Sequence, residues 1–345
     1  MRPPFEIAGE TVPAGARALI DIPIARLSNH TPVSLPVHVI HGRRAGPSLF
    51  ISAAIHGDEI LGVEIIRRLL NTKGLDALKG TLLCVPIVNA FGFLAQTRYL
   101  PDRRDLNRVF PGSPNGSLAG RLAHLFLNEV VARCDLGIDL HTGAINRANL
   151  QQIRGDFSKP ELKRIAESFG ASVVLQSDLR DGSLRQAAYE LNVDVLIYEA
   201  GEALRLDELS VRAGVRGILQ VMHEFGMLGA KFARSSKNQS VFAGTSQWVR
   251  APEGGIFRAF KGLGDSIAKD DLMGIVTNPY EGDETDVRSA IDGVIIGRTN
   301  ISVVNRADAL FNVASVEGPN RAQGRIERIS IELERDQAFD EDEIA

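Results

Sequence analysis

The segment Leu49–Leu70, LFISAAIHGDEILGVEIIRRLL, decides the fold class. Leu49–Ile55 is a short, mainly apolar run, the pattern of a buried strand. Ile60–Leu70 repeats apolar residues at helical spacing and stops near Gly74. The same alternation continues outward. Thr81–Val88 reads as a strand whose Pro86 marks an edge or an end. Ser117–Cys134 is helical, Leu136–Leu140 is a short buried strand, and a helix around Pro160–Phe169 precedes a strand at Ser172–Leu175. Leu184–Asn192 is helical, Val193–Tyr198 is a strand, and Asp207–Met227 is a long closing helix. Strands alternating with helices predict an α/β sandwich with a mostly parallel sheet. The residues before 48 read as extended segments, candidates for extra strands.

A chain of 345 residues exceeds what one compact core usually holds, so two domains are expected. Net charge is −4 and no Lys/Arg run is long enough to track phosphates, which argues against a nucleic-acid or membrane-surface partner. The N-terminus lacks the apolar core of a signal peptide and no apolar stretch reaches about 18 residues, so a cytoplasmic location is expected. Cys84 and Cys134 sit in apolar segments without a CxxC neighbour and read as buried reduced thiols. Lys231–Ser240 is polar and reads as a linker, dividing the chain into a catalytic domain at 1–235 and a C-terminal β domain at 241–325. An acidic tail, ending DQAFDEDEIA, is expected over 326–345. Within the β domain VRAPEGGIF at 249–257 resembles VRSAIDGVI at 287–295, and DDLMGIV at 270–276 resembles ADALFNVA at 307–314. Two similar halves predict a small pseudo-symmetric β-sandwich or barrel, similar to the biotinyl/lipoyl-type barrel. Those carriers attach their cofactor to a lysine on the hairpin between the halves. The matching stretch here, NPYEGDETD at 278–286, has no lysine, which excludes a carrier role.

Four segments carry chemistry. SAAIHGDE at 52–59 runs from a strand into a small-residue turn and delivers His56 and Glu59 at the start of the next helix. Zinc accepts imidazole nitrogen and carboxylate oxygen, and the turn lets both converge. HxxE alone occurs by chance, and the plain alternative is a helix-start carboxylate beside a partly buried histidine. Its position after a buried strand, where α/β sites are built, favours the metal. DLGIDLHTG at 135–143 ends a second strand in His141, followed by small residues. His141 completes His₂Glu with an open position for water. Asp139, on the same strand face, is placed to orient a ligand, or is a structural carboxylate. In RYLPDRRDLNRVFPG at 98–112 two arginines are expected to face the metal, whereas Arg103 and Arg104 read as solvated. VLIYEAGE at 195–202 presents Glu199 at a strand end, sited to move a proton from a water to a leaving amine. Glu202 begins the next loop, and the other histidines read as ordinary surface or core residues. Neither a GxSxG elbow, a GxxxxGK[ST] loop nor a GxGxxG turn is present.

Together these segments resemble the succinylglutamate desuccinylase/aspartoacylase family, itself related to the zinc carboxypeptidases, over roughly residues 48–225. The resemblance implies a zinc-carboxypeptidase-like three-layer α/β/α domain with a mostly parallel or mixed sheet, plus a C-terminal β domain covering the active-site mouth. It implies one Zn²⁺ per chain on His56, Glu59 and His141, with Glu199 as the base. Arg98 would stabilise the tetrahedral oxyanion, and Asn107 and Arg108 would grip a substrate carboxylate. GSLRQAA at 182–188 offers Arg185 as a further anion clamp. Tyr280, on the C-terminal hairpin, is the candidate for the family tyrosine. The expected activity is hydrolysis of a small N-acyl amino acid or a similar amide bearing a carboxylate. A carboxypeptidase with a wider groove and a non-catalytic metal-dependent binding protein are the alternatives; Glu199 speaks against the last. The β domain is expected to restrict substrate size and to contribute to a subunit interface in a homo-oligomer.

Overall fold

A computed structural model describes residues 2–233 and 239–335. Its first half runs β1 (Phe5–Ile7), β2 (Glu10–Val12), β3 (Ala16–Arg26), β4 (Pro32–His41), β5 (Arg44–Ala53), α1 (Leu61–Leu70), β6 (Lys79–Val85), α2 (Ala90–Ala95) and α3 (Leu118–Glu129). There follow β7 (Leu136–Gly143), β8 (Arg147–Gly155), α4 (Pro160–Ser168), β9 (Val173–Gln176), α5 (Leu184–Glu190), β10 (Asp194–Glu202) and α6 (Glu208–Glu224). The rest is β11 (Val241–Ala243), β12 (Thr245–Arg250), β13 (Gly255–Ala259), β14 (Ser266–Ile267), β15 (Leu272–Thr277), β16 (Glu284–Arg288), β17 (Gly293–Thr299), β18 (Val303–Val304), β19 (Ala309–Ser315) and α7 (Pro319–Glu334).

Successive residues of β5 explain the layers. Leu49, Ile51 and Ala53 enter a core shared with α1, α4 and α6, while Phe50 points to the opposite core, shared with α3 and α5. Helices therefore cover both faces of the sheet. Helix α1, with 10 residues, is too short to persist alone. Burying Leu61, Ile65, Ile66 and Leu69 stabilises it by roughly 1.5–3 kcal/mol per side chain. The sheet is mixed: β6, β5, β7 and β10 run parallel, and the β3–β4 hairpin extends it antiparallel beyond β6. Of the extended residues before 48, β3 and β4 thus belong to the main sheet, whereas β1 and β2 pair only with each other in a separate two-stranded sheet.

At the other side β17 pairs antiparallel with β8, so the C-terminal strands continue the same sheet, in the order β12-β19-β17-β8-β10-β7-β5-β6-β4-β3. The internal repeat is visible as two matching four-strand arrangements. One is β16-β15-β13-β18; the other is β12-β19-β17 with β14 beside β17. The hairpin joining β15 to β16 holds Tyr280, which is 94% exposed. Residues 326–334, expected as the start of a solvated tail, form the second half of α7. Ile326, Ile329 and Leu333 make an apolar stripe along one face of that helix, buried on the fold between charged neighbours. The remainder of the expected tail, 336–345, and the linker residues 234–238 lie outside the described residues. Among the described residues, no helix is long and apolar enough to cross a membrane.

Candidate active site

The carboxyl ends of β5, β7 and β10 meet at one cleft of about 370 Å³. After β5 the chain turns sharply through Ala54, whose φ is 51°, and delivers His56 and Glu59 ahead of α1. Gly57 lies within this turn against the backbone of α2. A Cβ on it would sit 2.0 Å from the carbonyl carbon of Gly92, so only glycine lets the turn close. On β7, Asp139 and His141 alternate onto the same face, and Glu199 of β10 lies beside His141 in register.

The structure brings His56, Glu59 and His141 together, with their donor atoms all within 4.8 Å of one another and all three side chains buried. Nδ1 of His56 lies 2.8 Å from Oε1 of Glu59, and Nδ1 of His141 lies 2.8 Å from Oε2. The outer nitrogens face other carboxylates: Nε2 of His56 meets Asp105 at 3.1 Å, and Nε2 of His141 meets Asp139 at 2.6 Å. Burial opposes a charge on either ring, but Glu59 together with Asp105 at His56, and Asp139 with Glu59 at His141, outweighs it and holds both pKa values above the ordinary histidine value. Burial likewise opposes ionisation of Glu59, and the two imidazoles reverse that and hold it well below the usual carboxylate range. A lone carboxylate this buried would cost on the order of several kcal/mol. Two imidazoles and one carboxylate, each imidazole braced from behind by a second carboxylate, form a donor set that suits zinc. His56, Glu59 and His141 would hold such an ion, and binding it would require both imidazoles to be neutral, so it would release protons.

Arg98 stands on the same cluster. Its Nη1 donates to Glu59 at 3.2 Å, and Nε and Nη2 donate to Asp105 at 3.1 and 3.0 Å. Glu199 is held from both sides: Asn149 Nδ2 donates to Oε2 at 2.7 Å, and Arg154 lies 3.5 Å from Oε1. Asn107 is buried, and its Oδ1 accepts from the backbone N–H of Leu184, tying the 105–108 turn to the start of α5. Arg108 and Arg185 both line the cleft. Arg185 is buried, its Nη2 donates to the Ser177 and Asp178 carbonyls, and its Nη1 is buried without a partner among the described residues. Burial, with Arg154 nearby, lowers its pKa to about 10, which leaves it charged at neutral pH. Tyr280 is absent from the lining, so the candidate tyrosine does not reach the site. Arg103 and Arg104 are exposed loop residues, as expected.

Asp105, behind His56 and Arg98, and the lining residues Arg147, Asn149, Arg154 and Trp248 are not identified by the sequence reading. Asp105 sits inside the DLNR motif, which was its signal. Arg147, Asn149, Arg154 and Trp248 have none, because β8 lacks the pattern of a strand and Trp248 arrives from β12. A larger groove of about 620 Å³ runs between β3–β4 and α1. Its Glu64 and Arg67 pair with each other at 2.7 Å, so the convergent chemistry lies in the smaller cleft.

The model of the succinylglutamate desuccinylase/aspartoacylase catalytic domain matches residues 45–225, more than half of the chain. The protein belongs to this family. The N-alpha-acetyl-L-2,4-diaminobutyric acid deacetylase of Halomonas elongata is 25% identical over 296 residues, covering 82% of this chain and 86% of that protein. The succinylglutamate desuccinylase of Pseudomonas aeruginosa (strain UCBPP-PA14) is 29% identical over 161 residues, 42% of this chain and 47% of that one. The crystal structure of a succinylglutamate desuccinylase/aspartoacylase from Rhodobacter sphaeroides superposes with a TM-score of 0.78 at 23% identity, covering 87% of this chain and 96% of that one. That likeness bears on the fold, including the C-terminal strands that the family model does not reach.

Proposed function

We propose that this member of the family is a zinc-dependent deacylase that hydrolyses the amide bond of a small N-acyl amino acid carrying a free carboxylate. The observation that carries the reading is the meeting, in one cleft, of the His56–Glu59–His141 donor set, the flanked carboxylate of Glu199 and several arginines. The small volume supports a small substrate over a peptide, and the named activities of the two curated relatives support a deacylase.

One zinc ion per chain, held by His56, Glu59 and His141, would supply Lewis acidity to the amide carbonyl and acidity to a water. Glu199 takes a proton from the attacking water and returns it to the amide nitrogen as the carbon–nitrogen bond breaks, so that one amide and one water become a carboxylate and an amine. Asn149 and Arg154 hold Glu199 in place for both transfers. Arg98 is assigned to the oxygen on which negative charge develops, and Asn107 and Arg108 to the carboxylate of the leaving amino acid. Arg185, with its spare Nη1, is assigned to the same amino-acid side of the cleft. A turnover screen of N-acetyl, N-succinyl and N-formyl amino acids with zinc-loaded protein tests the reading. Release of free amino acid from at least one class is expected, lost in Glu199→Gln. No release from any class, with zinc bound at one per chain, would overturn it.

A further inference from the structure

The arginines of the cleft are not equally occupied. Arg98 is paired with Glu59 and Asp105, and Arg154 with Glu199. Arg108, Arg147, Arg180 and Arg185 have no carboxylate within ion-pair distance among the described residues. Arg108 and Arg185 lie on the amino-acid side discussed above, and Arg180 is beside both. Arg147 does not lie there. It begins β8, whereas Arg154 stands near its end, seven residues or roughly 23 Å further along the strand. Asn149, next but one to Arg147, holds one oxygen of Glu199, and Arg154 holds the other. Arg147 therefore approaches the base from the opposite side to Arg154 and Arg185.

Its surroundings are those of a prepared site. The guanidinium carbon lies 4.7 Å from the ring centre of Trp248, so the side chain is fixed by stacking, with its donors free. Its Nε is buried and has no hydrogen-bond partner among the described residues. An unpartnered buried N–H of a charged group carries a desolvation cost that an incoming anion removes. Trp248 also lines the cleft and offers a flat apolar surface beside this cation. Gly297 packs against Asn149 and the edge of the Trp248 ring. A Cβ there would lie 3.0 Å from Asn149 Oδ1 and 3.6 Å from Trp248 Cη2.

We propose that Arg147 and Trp248 form the subsite for the acyl portion of the substrate, and that they favour an acyl group ending in a carboxylate. The ring packs against the acyl methylenes and the guanidinium binds the terminal carboxylate, so the preferred substrate is anionic on both sides of the scissile amide. This rests on the deacylase reading. It assigns selection of the acyl group jointly to Arg147 of β8 and to Trp248 of β12, the latter on a strand outside the residues that the family model matches.

The test compares the N-succinyl and N-butyryl derivatives of one amino acid, near-isosteres that differ by a terminal carboxylate, with the zinc-loaded full chain. The expected ratio of kcat/KM is at least about tenfold in favour of the succinyl compound, as for one charge-assisted contact. Arg147→Gln brings the ratio close to one and Trp248→Leu lowers it. A ratio near one in the unmodified chain overturns the proposal. Trp248 is the sole tryptophan, so intrinsic fluorescence reads this subsite without turnover. Titration with succinate should give a saturable change that butyrate does not. If neither amide is hydrolysed, the screen of acyl classes decides the deacylase reading and the titration decides the subsite: a response to succinate sustains it, and no response refutes it. Neither the ratio in the unmodified chain nor the titration depends on a variant folding.

Discussion

His141 presents one ring nitrogen to Asp139 at 2.6 Å and the other to Glu59 at 2.8 Å. Asp139 is itself held, since Ser52 Oγ donates to its other oxygen at 2.7 Å. The nitrogen available to a metal is therefore chosen by a carboxylate on the far side of the ring. Asp139→Asn should weaken zinc affinity by about 10–100-fold, the usual effect of losing such a partner. Competition against a chelator of known affinity measures it. Unaltered affinity would reduce Asp139 to a packing residue.

His141 and Glu199 are register neighbours, yet their variants should fail differently. His141→Ala should lose stoichiometric zinc along with turnover. Glu199→Gln should keep zinc and substrate binding while kcat falls by about 10²–10⁴-fold, the range for a missing general acid/base. Metal analysis beside steady-state kinetics separates the two. A Glu199→Gln enzyme that keeps most of its kcat would remove that residue from the proton path.

Arg108 and Arg98 should divide between KM and kcat. Arg108→Ala should raise KM strongly for substrates with a free carboxylate and much less for the corresponding esters, because the lost contact is to that group. Arg98→Ala should depress kcat, and its hydrogen bond to Glu59 adds an expected loss of zinc affinity. Equal effects of Arg108→Ala on acids and esters would count against its assignment.

A stability prediction lies away from the cleft. Arg68, largely buried, donates to Glu208 through both Nη atoms and to Glu64 through Nε, each at 2.7 Å. Hydrogen bonds from Arg67, and then Arg68, pull the pKa of Glu64 to about 2 against the opposing effect of burial, and Arg68 lowers that of Glu208. Depressed carboxylates contribute stability above their unfolded value of 4.5, and that contribution is lost as pH falls toward 2. Arg68→Gln should thus lower Tm by roughly 3–8 °C at pH 7. The deficit should shrink progressively below pH 4.5. A deficit independent of pH would point to lost packing instead.

The strands that carry His56, His141 and Glu199 were legible because both of their faces are buried, which leaves continuous apolar runs such as Leu136–Leu140 and Val193–Tyr198. Strand β8 was not, for it carries Asn149, Gln151 and Gln152 into the interior. Those amides are satisfied by groups far away in sequence: Gln152 donates to the Ile296 carbonyl and Gln151 to Ser210. No local pattern reveals a polar strand whose partners lie 59 to 144 residues off. Helix α7 was hidden similarly, its apolar stripe diluted among charges that face solvent. Within the site, residues ending an apolar strand were found. Those that orient them, Asp105, Asn149 and Arg154, were missed because their importance appears only once the strands are side by side.

The pairing of β17 with β8 sets Gly297 opposite Asn149, the residue that holds Glu199. The strand that packs against the acyl wall is thus hydrogen-bonded to the strand that aims the base. Grafting residues 241–335 from a relative would import not only a different wall but also a different neighbour for Asn149. A chimera that fails to reproduce a glycine at 297 would shift the proton path along with the preference. The acyl preference should therefore be altered more cleanly by substitutions within β12, beyond that contact, than by wholesale exchange of the C-terminal half.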